Sequence, residues 1–163
     1  MINNVQLRDA VETDLQIFYE QQQDPEAIQM AAFPSRNRDA FMAHWLKILV
    51  DDSVVVKTIL VNGDIAGNIV CFDQLGEREV GYWLGKEYWG KGIASQGLTQ
   101  FLEYIETRPL YAHVAKHNIA SRRVLEKCGF KVAAEDKFFS KIFGKEIEEY
   151  VLILDPQNQV STE

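Results

Sequence analysis

Two hydrophobic periods alternate along this chain, and the places where one gives way to the other mark its elements. Residues 4–9 alternate apolar and polar side chains and predict a first strand. Thr13-x-x-Gln16 has the spacing of a capping box and opens a helix with Leu15, Phe18 and Tyr19 on one side. Asp24-Pro25 pairs an N-cap with a first-turn proline, so a short second helix starts near Glu26. From about Arg38 to Leu49, Phe41, Trp45 and Ile48 recur at i, i+4 and i+7, the stripe of a third helix. The early aromatics Phe18, Tyr19, Phe33, Phe41 and Trp45 are expected mostly in the core.

The period then shortens to two. Ser53–Val61 is rich in β-branched residues and ends at Asn62-Gly63, a strong hairpin signal, with 64–72 as its antiparallel partner. Glu79–Leu84 makes the next strand of a meander. A glycine-rich turn, Gly85 to Gly92, leads into a helix with Ala94, Leu98, Phe101, Leu102 and Ile105 inward and Pro109 as its stop. Leu110–Ala115 is a fifth strand, and the helical crossover sets it parallel to Glu79–Leu84. Asn118 caps a helix with Ser121, Val124, Leu125 and Cys128 inward, and Gly129 ends it. Strands near 130–137 and 147–154 complete an α/β fold. It is a mixed, mostly antiparallel, six- to seven-stranded twisted sheet with one parallel pair and flanking helices. The expected organisation is one domain over 1–155 and a short tail over 156–163.

Composition narrows the chemistry. At 163 residues, 47% hydrophobic and 25% charged, the chain can bury a core without staples. Cys71 and Cys128 form no Cys-x-x-Cys pair and lie in apolar-patterned segments, and the three histidines have no zinc-ligand spacing. Both cysteines are therefore expected as core residues, and no metal is expected. The N-terminus lacks a basic-then-apolar leader, and no apolar run is long enough to span a bilayer, which points to a cytoplasmic protein with no membrane partner. The net charge of −7 argues against nucleic acid. Residues 108–131, however, carry six basic side chains against the single acid Glu126, an island suited to a polyanionic ligand.

A strand that enters a glycine turn and then a helix presents bare backbone N–H groups and a positive dipole end, an anion site. Gly85-x-x-x-x-Gly90-Lys91-Gly92 falls short of a nucleoside-triphosphate loop, because Gly92 stands where a hydroxyl must hold magnesium. Gly90-x-Gly92-x-x-Ser95 lacks the third glycine of the dinucleotide fingerprint. Trp89-Gly90-Lys91-Gly92-Ile93-Ala94 resembles the acyl-coenzyme-A loop of the GNAT superfamily of N-acetyltransferases, Gln/Arg-x-x-Gly-x-Gly/Ala, with Trp89 at the Gln/Arg position. Asn118-x-x-Ser121 leading to Gly129-Phe130 resembles that family's fourth-helix signature. With Gly81-Tyr-Trp-Leu84, the pattern is similar to the branch that contains ribosomal-protein alanine N-acetyltransferases.

The resemblance implies that the fourth and fifth strands splay apart and the pantetheine arm of acetyl-CoA pairs with their exposed backbone. It implies coenzyme binding by Trp89, Gly90, Lys91, Gly92, Ile93, Ala94 and Ser95, with Asn118 also in contact. Arg122, Arg123 or Lys127 would meet further phosphates. A backbone N–H near Trp83 and Leu84 would polarise the thioester carbonyl, and Ser121 would protonate or stabilise the thiolate. Many relatives use a tyrosine four residues beyond Ser121, and Leu125 stands there. Glu79, at the start of the splayed strand, is the candidate base, direct or through water; Glu135 and Asp136 offer carboxylates with no clear positional match. Tyr82 and Trp83 alternate sides, one toward the core and one toward the acceptor, and Phe33-Pro34 is expected to wall the acceptor pocket. The implied activity is acetyl transfer from acetyl-CoA to a primary amine, a protein N-terminus, an amino-acid derivative or a polyamine, by a monomer or homodimer. A nucleotide hydrolase or kinase and a non-catalytic coenzyme-A-binding module remain the alternatives.

Overall fold

The structure is a computed structural model that describes residues 4–156. The tail expected over 156–163 lies outside the described residues, Pro156 apart. The strands are β1 (Val5–Asp9), β2 (Val55–Val61), β3 (Asp64–Gln74), β4 (Glu77–Leu84), β5 (Leu110–Ala115), β6 (Lys131–Ser140) and β7 (Lys145–Leu154). The helices are α1 (Leu15–Gln21), α2 (Pro25–Ala31), α3 (Arg38–Val50), α4 (Ile93–Tyr104) and α5 (Ile119–Lys127). The strands form one seven-stranded sheet in the order β1-β2-β3-β4-β5-β7-β6, the mixed sheet expected from the pattern.

β1 to β4 are antiparallel neighbours. β3 and β4 run further than the pattern suggests, because Leu75 and Gly76 both take positive φ (51° and 83°) and close a tight two-residue turn. β4 and β5 are parallel and share a single ladder pair, Glu79 with Tyr111. β7 then pairs antiparallel with β5, and β6 lies on the outer edge. Among the described residues no helix is long and apolar enough to cross a membrane.

Each sheet face carries its own core. On one face, Leu98 and Phe101 of α4 and Leu125 of α5 pack on Ile59, Ile69, Val80, Leu110 and Leu152. On the other, Leu15 and Phe18 of α1 and Phe41 and Trp45 of α3 cover Val56, with Phe18 and Trp45 ring centroids 5.2 Å apart. Burial of this size on two faces is the main stabilising term for the fold.

Four local expectations are corrected. The Thr13/Gln16 capping box does not form. A 3-10 turn over Glu12–Asp14 precedes α1, and Asp14 is the anchoring residue. Its carboxylate accepts from both terminal nitrogens of Arg8 (2.7 and 2.8 Å), from the Thr58 hydroxyl (2.7 Å) and from the Val11 N–H (3.0 Å). α4 ends at Tyr104, well before Pro109, because the Arg108 guanidinium donates to the carbonyls of Leu102, Ile105 and Thr107 and satisfies the helix end. Phe33 is exposed, its ring covered by the Arg36 guanidinium at 5.5 Å. Ala32, at φ 55°, turns the chain outward there. Cys71 is buried as expected, whereas Cys128 is only half-buried.

Gly67 fixes how closely β3 approaches the end of β4. A Cβ at that position would lie 2.1 Å from the Trp83 carbonyl oxygen, so only glycine fits. The Asp14 network fastens β1, the 3-10 turn and β2 together. Burial pushes the Asp14 carboxyl upward, but hydrogen bonds from Arg8, Thr58 and the Val11 N–H outweigh this and hold it below the usual carboxylate range. A depressed acid stabilises the fold above its unfolded-state pKa and loses that contribution as pH falls through the folded value. Asp14→Asn should cost about 2–3 kcal/mol in denaturant unfolding at pH 7. Below about pH 4 the gap to the wild type should shrink.

Candidate active site

The site is built where β4 runs out. A 3-10 turn over Lys86–Tyr88 leads to Gly90 and Gly92, both at positive φ (73° and 76°), and α4 begins directly at Ile93. These backbone angles are open to glycine and turn successive N–H groups to one side. Gly92 offers no side-chain cap and the first turn of α4 holds no acid, so neither a cap nor a like charge competes with an incoming anion. A Cβ at Gly90 would meet nothing within 4 Å, and one at Gly92 only Gln96 Nε2 at 3.9 Å. The concavity is therefore open to a ligand. Trp89 donates from its indole nitrogen to the Leu84 carbonyl (2.9 Å), so it ties the turn back to β4.

From this turn a cavity of about 560 Å³ opens between the C-terminal end of β4, α2 and α5, at the mouth of the gap where β4 and β5 part. Gly90, Gly92, Ile93, Ala94 and Ser95 line it at the turn. Asn118, Ser121, Val124, Arg123 and Lys127 line it from α5, and Tyr82, Trp83 and Leu84 from β4. Ala27, Met30 and Ala31 of α2 form a wall of the cavity, which neither Phe33 nor Pro34 lines. The structure thus brings together most of the expected site residues. It leaves out Lys91, which is exposed beside the turn, Arg122, and Glu79, which stands deeper on β4 and does not line the cavity. The Arg122 guanidinium sits 4.5 Å over the Tyr150 ring, with Nε 3.3 Å from Glu126. Arg123 and Lys127, one turn apart, present the cations to the cavity instead.

Tyr82 and Trp83 do face opposite ways. Tyr82 packs toward the α4/α5 core, and its hydroxyl lies 3.0 Å from Ser121 Oγ. Trp83 donates from its indole nitrogen to the Gln21 carbonyl of α1 (3.2 Å). Asn118 Oδ1 accepts from the Ser121 N–H (3.3 Å), which caps α5 and fixes where the serine stands. Burial pushes the Tyr82 phenol up to about 12 despite the Ser121 hydrogen bond, so it stays protonated at neutral pH.

Glu79 stands at the closed end of the gap and, with Tyr111, forms the one ladder pair that joins β4 to β5. His113 Nε2 lies 3.6 Å from its carboxylate, while His113 Nδ1 lies 2.5 Å from Glu149. Glu77 points its carboxylate at the same cluster. Burial, with Glu77 and Glu149 nearby, raises the Glu79 carboxyl above its ordinary range although His113 pulls the other way. The Glu149 hydrogen bond, aided by Glu79, keeps His113 protonated to higher pH than an isolated imidazole. Glu135 and Asp136 lie on β6 and do not line the cavity; Glu135 is paired with Lys116.

The sequence did not reveal this cluster, because His113 and Glu149 meet only through the β5–β7 register. A second depression, about 660 Å³, is walled by Asp52, Asp73, Glu77, Arg78 and Arg108. Its cations are already engaged: Arg78 on the Ser53 carbonyl and Asp73, and Arg108 on the end of α4.

A search of known proteins finds an N-acetyltransferase of undefined role, p20 of Bacillus licheniformis, 29% identical over 107 residues. That alignment covers 63% of this chain and 60% of the relative. YdaF of Bacillus subtilis, provisionally named a ribosomal N-acetyltransferase, is 29% identical over 100 residues, 57% of this chain and 55% of its own. The chain thus spans little more than half the length of these curated relatives. Among solved structures, YncA of Salmonella typhimurium with its cofactor acetyl-CoA superposes with a TM-score of 0.79 at 18% identity, over 96% of each chain, a likeness of fold. The family model described as the acetyltransferase (GNAT) domain matches residues 4–131, and the chain belongs to that family.

Proposed function

We propose that this protein, acting in the cytoplasm, transfers the acetyl group of acetyl-CoA directly to a primary amine. We further propose that the acceptor is cationic: a protein N-terminus, an amino-acid derivative or a polyamine. The observation that carries this reading is the continuous gap between β4 and β5. The strands part beyond Glu79, whose partly buried carboxylate stands at their one shared pair, and an open, uncapped helix N-terminus faces the cavity at the end of β4.

The donor supplies a thioester, an acyl group already activated toward amines. The chain's own residues supply binding and proton management. Backbone amides from Gly90 to Ser95 hold the diphosphate, and Arg123 and Lys127 add charge beside it. The edges of β4 and β5 beyond their single shared pair offer strand hydrogen bonds to the amides of the pantetheine arm. An N–H near Trp83 and Leu84 polarises the carbonyl.

Glu79 takes the proton from the acceptor ammonium, directly or through water. Its raised pKa brings its basicity closer to the amine it must serve. Glu77 and Glu149 leave the cluster net negative even with His113 protonated, which favours a cationic acceptor. The nucleotide-hydrolase reading loses support, since the turn follows a strand antiparallel to its neighbour and lacks the magnesium hydroxyl.

Gly92→Asp should weaken acetyl-CoA binding at least roughly tenfold by calorimetry, since a carboxylate opposes phosphate and a side chain strains at φ 76°. Unchanged affinity would refute the diphosphate assignment. Glu79→Gln should lower kcat by roughly 100-fold in a free-thiol release assay across an amine panel. The wild type should lose activity on acidification with a midpoint above the ordinary glutamate value of 4.5, and that limb should vanish in the variant. An acidic limb that persists would assign the base elsewhere.

A further inference from the structure

The departing coenzyme A sulfur needs a proton, and the usual family tyrosine on α5 is replaced by Leu125, buried in the α4/α5 core at 3% exposure. A phenol reaches the same region from another element. Tyr82 comes from β4, three residues past the Glu79–Tyr111 pair, which places it about 10 Å inside the gap. It lines the same cavity as Ser121 and is hydrogen-bonded to it. The other hydroxyls on the cavity are less suited. Ser95 sits in the first turn of α4 beside the diphosphate amides, and Tyr88 belongs to the 3-10 turn after β4.

Resting on the acetyl-transfer reading above, we propose that Tyr82 is the acid that protonates the leaving thiolate, with Ser121 as the partner that orients and reprotonates it. The acceptor ammonium first gives one proton to Glu79, which passes it to solvent; the neutral amine then forms the C–N bond, its nitrogen gives a second proton to Glu79, directly or through water, and the C–S bond breaks with its electron pair on sulfur. The Tyr82 O–H then delivers its proton to that sulfur. The Ser121 hydroxyl passes a proton back to the phenolate and is itself replenished from solvent. A phenol is a far stronger acid than a serine alcohol, so of the bonded pair Tyr82 is the better donor. Burial keeps it protonated at working pH. The titratable group that acts on it besides Ser121 is Cys128, and the charged groups on the same cavity are Arg123 and Lys127, all from the α5 side.

The test is Tyr82→Phe, Ser121→Ala and the double variant, with acetyl-CoA affinity by calorimetry, melting temperature, and turnover by thiol release. Tyr82→Phe should lower kcat by roughly 100-fold while the acetyl-CoA Kd stays within about threefold. The double variant should be no slower than Tyr82→Phe alone, since the two hydroxyls act as one unit. Because Phe keeps the ring but alters local packing, fluorinated tyrosine at position 82 is the second probe. Its more acidic phenol should bring the basic limb of the kcat profile down into the measurable range. Turnover within threefold of wild type in Tyr82→Phe, losses that add in the double variant, or a basic limb that fluorination does not move would each overturn the role of Tyr82. A wild-type protein that neither binds acetyl-CoA nor releases thiol would instead overturn the underlying acetyl-transfer reading.

Discussion

β4 and β5 lie side by side and parallel, yet exchange ladder hydrogen bonds at a single residue pair, Glu79 with Tyr111. Each is fixed on its other side. β3 holds β4 across eight paired residues, and β7 holds β5 across six. Neither strand can swing over to close the gap without breaking those ladders. Backbone amides and carbonyls beyond Glu79 and Tyr111 are therefore left with an unmet demand for partners, which an extended amide-bearing chain is shaped to meet. The Gly67 approach to the Trp83 carbonyl reinforces the arrangement by pinning the far end of β4 against β3.

The two ends of the gap have opposite electrostatic character, and that polarity orders the chemistry. At the open end, an uncapped helix N-terminus and the Arg123 and Lys127 side chains favour anions. At the closed end, Glu79, Glu77 and Glu149 surround one imidazole and favour cations. A donor bearing phosphates at one terminus and a neutral acyl group at the other fits in one direction only. The Tyr82–Ser121 hydroxyl pair stands between these ends on the α5 side, while Trp83 and α2 form the opposite side. Glu79 and Tyr82, the proposed base and acid, thus stand on different faces of the same strand.

What the sequence made legible was local. Caps at Asp24 and Asn118, the Asn62-Gly63 turn and the glycine turn before α4 involve partners within a few residues, and each left a recognisable pattern. The parallel β4/β5 pair followed from the handed crossover through α4. Long-range partners were not legible. Thr13 and Gln16 had the spacing of a capping box, but Asp14 gained Arg8 and Thr58 from two strands and set the local conformation instead. Glu149 reaches His113 only because β7 inserts between β5 and β6. The choice between Arg122 and Arg123 was readable in principle: Arg123 and Lys127 share the stripe of Ala120 and Val124, whereas Arg122 shares that of Glu126.

On the proposed reading, acetyl-CoA completes the unpaired edges of β4 and β5. Hydrogen–deuterium exchange of the full chain with and without saturating acetyl-CoA tests it directly, with peptides covering residues 80–84 and 110–115 as the readout. Slower exchange in those segments, together with residues 90–95, is the predicted result. Saturable acetyl-CoA binding that leaves exchange in both strands unchanged would contradict it.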